Sequence, residues 1–191
     1  MQSNSYIVYL FITLLLVSLM ISLFSVAFNT SVEIDDAVSN LYSLFEMIVY
    51  GLFFHNILTN PNDKKVTVYV FFTLFILNVL NFLLYEGFWV FNSLALTLNS
   101  IVYIIFTILY FRQILKNPVT LNLEKYPVFW LAAAIFFYHS ASLFIFLFQK
   151  FIYLGYFTTS FPIWYIHNFF MILYELIIGY AFLLWIPRKT T

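Results

Sequence analysis

The chain has 191 residues, of which 64% are hydrophobic, 24% aromatic and only 8% charged. A soluble domain is about a quarter charged, so this composition excludes a water-soluble core and leaves no room within these residues for a separate soluble domain. Eight Lys plus Arg balance eight Asp plus Glu, which gives no basic face for nucleic acid and no acidic tail for basic partners. Cysteine is absent, excluding disulfides, thiolate metal sites and cysteine nucleophiles.

A helix needs about 20 apolar residues to cross a hydrocarbon core, and the chain offers six such runs. The first, 6–28, carries no charge and is followed by Glu33, Asp35 and Asp36. Ser25-Val26-Ala27 has the shape of a signal-peptide cleavage site. The run is too long for one, however, and no Lys or Arg precedes it, so it reads as a span. The second, 37–58, contains Glu46 and His55 and closes on the turn signal Thr59-Asn60-Pro61-Asn62-Asp63. The third, 66–85, ends at Glu86-Gly87, and the fourth, 88–111, leads into a longer loop from Arg112 to Pro127. The fifth, 128–148, precedes an aromatic loop around Gly155. The sixth, 163–186, stops at Pro187 before Arg188-Lys189.

The expected fold is therefore all-α: a polytopic membrane bundle of six transmembrane helices in a single domain over 1–191. An even number of spans puts both termini on one side, and the loops on that side hold Lys64, Lys65, Arg112, Lys116, Lys125, Arg188 and Lys189 against Lys150 alone on the other. Cytoplasmic loops carry the excess of Lys and Arg, so this asymmetry predicts both termini in the cytoplasm. Trp89, Trp130, Trp164 and Trp185 fall near span ends, where amphipathic rings settle at headgroup level. A weak internal echo, Ile57-Leu58-Thr59-Asn60-Pro61 with Ile114-Leu115-Lys116-Asn117-Pro118, closes two even-numbered spans.

Polar residues inside the spans recur at helical spacing: Tyr42, Glu46 and Tyr50; Asn78, Asn81 and Tyr85; Asn92, Asn99, Tyr103 and Thr107; His139 and Ser142; His167, Asn168, Glu175 and Gly179. Turned inward, these stripes would form one polar seam, with Glu46, Asn78, Asn81, Asn99, His139, His167 and Glu175 as its candidate members. Amide, hydroxyl and imidazole groups there suit interhelical hydrogen bonds, typically about 0.6 kcal/mol each. For Glu46 and Glu175 two readings stand open. One is structural hydrogen bonding; the other is a ligand pocket or proton-linked switch with His139 or His167.

Enzyme chemistry has no support. There is no Gly-x-Ser-x-Gly elbow, no His-Glu-x-x-His pair and no histidine box. His139 and His167 are the only thinkable haem pair, and their expected depths differ. No catalytic, metal or cofactor site is expected. Four glycines in the whole chain also give little basis for small-residue packing or for the unwound helices of carriers.

Tyr110-Phe111-Arg112-Gln113-Ile114-Leu115, Tyr126-Pro127-Val128-Phe129-Trp130, Tyr138-His139-Ser140 and Trp164-Tyr165-Ile166-His167-Asn168 carry a resemblance to an uncharacterised family of small multi-pass membrane proteins of Bacteroidota-type bacteria. Its members resemble the membrane portions of bacterial sensor proteins. The resemblance covers the second half of the chain better than the first and transfers no site residue. It implies a sensory or accessory subunit that works in the lipid bilayer through another membrane protein, such as a sensor kinase or a larger membrane complex. A small proton-linked transporter using the Glu, His and Asn seam is the alternative, and the substrate-capturing subunit of a vitamin importer is a third.

Overall fold

A computed structural model describes residues 2–118, 122–153 and 160–185, with side chains over 6–118, 122–149 and 165–185. The expected loop around Gly155 and the terminal Pro187, Arg188 and Lys189 lie outside the described residues, as do the side chains of Lys150 and Trp164. Six α-helices follow in order: α1 Gln2–Phe28, α2 Val32–Ile57, α3 Pro61–Leu84, α4 Ser93–Lys116, α5 Pro127–Tyr153 and α6 Ser160–Trp185, with a single 3-10 turn, Leu123–Lys125, before α5. No strand occurs among the described residues. All six are long and apolar enough to cross a membrane.

Local chemistry sets the helix ends. Asn29 takes the left-handed conformation, φ 46°, that closes α1. The Thr30 hydroxyl donates to the Asp35 carboxylate, while Glu33 and Asp35 occupy the first turn of α2, where negative charge is favoured. That turn makes α2 begin at Val32, five residues before the apolar run. The Asn60 side chain accepts from the backbone N–H of Asn62 ahead of Pro61 at the start of α3, a capping residue followed by a proline whose missing N–H has no helical use.

The largest departure from the expected boundaries is at α4. The apolar segment 88–92, expected to open the fourth span, is loop, and the helix runs from Ser93 to Lys116. Gly87 holds φ 94°, a backbone state other residues rarely adopt, and the chain that follows is tied down by asparagines.

The chain divides into two compact units, 1–99 and 100–191, with the boundary inside α4. In the first, α2 packs on both α1 and α3. Phe11 of α1 meets Phe53 edge-on at 5.1 Å and Tyr50 at 6.2 Å. On the other side of α2, Phe54 lies 6.2 Å from Phe71 of α3. A Cβ on Gly51 would come within 3.0 Å of the Phe71 ring, so glycine is what lets these helices approach. In the second unit α5 and α6 form the main packing pair. The buried run Leu131, Ala132, Ala133, Ala134 and Ile135 gives α5 a narrow waist, and Trp130 meets Tyr180 edge-on at 5.1 Å.

Candidate functional site

Asparagines organise the polar interior of the first unit. Asn78 and Asn99 are each 1% exposed and exchange reciprocal amide hydrogen bonds, Asn78 donating at 2.9 Å and Asn99 returning at 3.2 Å. A carboxamide carries donor and acceptor together, so the pair satisfies itself without water. Asn78 also donates to the Leu74 carbonyl at 2.9 Å.

Asn81, three residues along α3, donates to Asn92 Oδ1 at 2.7 Å and to Glu86 Oε2 at 2.9 Å. Asn92 in turn donates to the carbonyls of Gly87 and Val90, each at 3.0 Å. From α2, Asn40 donates to Phe88 O at 2.8 Å and Val90 O at 2.9 Å. The Glu86 carboxylate accepts from the Ser93 hydroxyl at 2.9 Å and from the Leu94 N–H at 3.2 Å, placing negative charge at the N-terminus of α4. This network folds an apolar loop whose carbonyls would otherwise lack partners. Its donors find acceptors inside the network, while Asn81 Oδ1 is buried without a hydrogen-bond partner among the described residues.

Glu46 is buried, 8% exposed, and its carboxyl is hydrogen-bonded to the Tyr50 side chain one turn along α2. The expected face of α2 thus exists. Its carboxyl is answered on its own helix.

The second unit gathers the two histidines. His139, 2% exposed, shares a 3.1 Å hydrogen bond with the Ser100 hydroxyl, and His167, 8% exposed, shares one of 3.2 Å with Ser142. Tyr138 joins them, its ring 4.9 Å from the His139 imidazole, 5.7 Å from His167 and 5.1 Å from Tyr174. Tyr103 closes on His139 edge-on at 4.7 Å. Among the described residues no group of three His, Cys, Asp or Glu side chains is placed to hold a metal ion.

Glu175 stands differently. Tyr174, Ile178 and Ala181 are the buried positions of this part of α6, whereas Glu175 and Asn168 are exposed. Along α6, Ser160–Trp185, Glu175 lies within one turn of the middle. The structure therefore brings together Asn78 with Asn99, Asn81 with the loop, and His139 with His167 through Tyr138, while Glu175 faces outward.

Sequence reasoning passed over Asn40, Glu86 and Ser100. Asn92-Ser93 ahead of a periodic run is a helix-start signal that locates the beginning of α4. Ser100 had no such signal, because a hydroxyl on a buried helix is indistinguishable in sequence from one bonded to its own backbone.

These elements define an all-α membrane protein with six helices long and apolar enough to span. No family model, curated protein or solved structure matches the chain.

If the Asn78–Asn99 pair is packing glue, a double-mutant cycle with Asn78→Leu and Asn99→Leu should give a coupling of about 1 kcal/mol in detergent-titration unfolding. A coupling near zero would show that the two amides contribute independently.

Proposed function

We propose that the chain is a non-enzymatic subunit of the bacterial inner membrane, with both termini cytoplasmic. It serves as a sensory or accessory component that acts through helix contacts with a membrane partner. The observation that carries this is Glu175. An ionisable side chain at the centre of a span costs about 2.5–3.5 kcal/mol on insertion scales, and such groups normally face a bundle interior or a water-filled cavity. Glu46, His139 and His167 do face inward; Glu175 is exposed together with Asn168 on α6. A membrane protein covering that face would remove both groups from lipid. The seven-to-one division of basic residues supports the orientation.

The buried Ser100–His139 and Ser142–His167 pairs favour a second reading, a small proton-linked transporter. One experiment separates the two. A photoactivatable residue at Ile172, which is 57% exposed on the same flank as Glu175, should capture a protein in native membranes upon illumination. Lipid adducts alone would sink the interaction reading and shift the weight to the transporter.

A further inference from the structure

Resting on the proton-linked reading and going beyond it, we propose that the second unit conducts protons along a polar column built from one stripe of α4 and one of α5. On α4, Ser100, Tyr103, Thr107 and Tyr110 advance by 3, 4 and 3 residues and are all buried. On α5, His139, Ser142 and Gln149 advance by 3 and 7 and are buried too. Such spacing keeps each set on one face of its helix.

The stripes meet where Ser100 shares its 3.1 Å hydrogen bond with His139. Phe111 also lies 5.7 Å from Phe129, so α4 descends as α5 ascends, and the two stripes run end to end. From the junction, each helix continues its stripe by ten residues, one inward to Tyr110 and one outward to Gln149. At 1.5 Å per residue the column is about 30 Å long, which is the thickness of a hydrocarbon core. His167 of α6 joins it through Ser142 at 3.2 Å. Tyr126, half-buried before α5, is the electrostatic neighbour of Tyr110 at the inner end.

Both ends hold unanswered polar atoms. The Tyr110 hydroxyl, in a side chain 2% exposed, and both Oε1 and Nε2 of Gln149, 3% exposed, have no hydrogen-bond partner among the described residues. Phe and Leu would fill those places without the cost of about 1–3 kcal/mol that a buried unpaired polar group carries. Water entering from each side answers these atoms and links the column to solvent. In the register of the two contacts above, the buried Ala132, Ala133 and Ala134 lie level with the interval between Tyr103 and Tyr110, where side chains are small.

The column's chemistry selects the proton. Arg112, Lys116, Glu124, Lys125 and Glu175 are all exposed, so no fixed charge lines the column among the described side chains. Each hop breaks one O–H or N–H bond and forms another. An imidazole accepts a proton at one nitrogen and releases one from the other. One proton leaves for each that enters, and no electrons are exchanged.

The test is proton flux into vesicles of defined lipid holding the purified chain and a pH-sensitive dye, driven by a potassium gradient with valinomycin. Wild type should acidify the interior faster than protein-free vesicles. Tyr110→Phe and Gln149→Leu should each cut that flux at least tenfold. Both remove an unpaired buried group, so their unfolding midpoints in denaturing detergent should equal or exceed wild type, which separates a broken path from a broken fold. Flux that survives both substitutions would overturn the column while leaving proton movement through the protein in place. No wild-type flux above protein-free vesicles would overturn the column together with any reading in which protons move without a second substrate.

Discussion

Gly51→Leu should destabilise the first unit by about 2–3 kcal/mol, the upper range for forcing extra carbon into a packed contact. In lipid, helices are not driven together by the hydrophobic effect, since lipid tails are as apolar as leucine. Their association relies on close packing, and α2 and α3 pack where a Cβ at position 51 would lie 3.0 Å from Phe71 Cδ1 and 3.1 Å from Cγ. The Phe71 ring is itself held, 7% exposed and 6.2 Å from Phe54, so an isobutyl group at position 51 has to push the helices apart. Alanine asks for less: its helix propensity gain of about 1 kcal/mol offsets a ring movement of a few tenths of an ångström, and Gly51→Ala should lie near neutrality. Unfolding by denaturing detergent in mixed micelles measures both. A Gly51→Leu midpoint equal to wild type would mean that the α2–α3 approach is not limited by this glycine.

Asn92→Leu should be comparably damaging, about 2–3 kcal/mol, through loss of hydrogen bonds with no loss of packing volume. Asn92 is 1% exposed. It accepts from Asn81 at 2.7 Å and donates to the Gly87 and Val90 carbonyls at 3.0 Å. Val90 keeps a bond from Asn40 and Asn81 keeps one to Glu86, so the full effect falls on Gly87 O. A buried polar group stripped of its partner costs about 1–3 kcal/mol, and the weakened register of the loop adds to it. Loop 85–92 should also become sensitive to added protease in the folded protein. Asn92→Asp keeps the acceptor toward Asn81, loses both donors and brings a second carboxylate near Glu86; it should fall between leucine and wild type only if the acceptor matters more than the added charge. A leucine variant with wild-type protease resistance would show that Asn40 and Glu86 hold the loop without Asn92.

The contrast between these two sites shows how far sequence reasoning reaches. Glycine inside an apolar run looks the same at position 51 and position 179. Only the neighbouring Phe71 ring marks the first as a close approach within the chain and leaves the second open. Asn78 and Asn81 were legible as one face of α3 because helical period sorts residues onto faces. Their partners, Asn99 for one and Asn92 with Glu86 for the other, depend on how α3 and the start of α4 are set side by side. Periodicity carries no information on that. Segment 88–92 read as helix because apolar length was the criterion; the structure makes it loop, since Gly87 breaks the helical path and asparagine amides answer the freed carbonyls. At α2 the error ran the other way, because acidic residues that end an apolar run also stabilise a helix start.

Composition and apolar length by themselves determined that this is an all-α chain with six helices able to span a membrane, since a bilayer admits few ways to satisfy a backbone and sets the length of each crossing. Tertiary structure alone decided which polar side chains answer one another. It paired Asn78 with Asn99, gathered His139 and His167 around Tyr138, and left Glu175 on an exposed face of α6. The physical reason is that helical periodicity sorts side chains onto faces, while the neighbour that covers a face is set by packing between residues far apart in the chain.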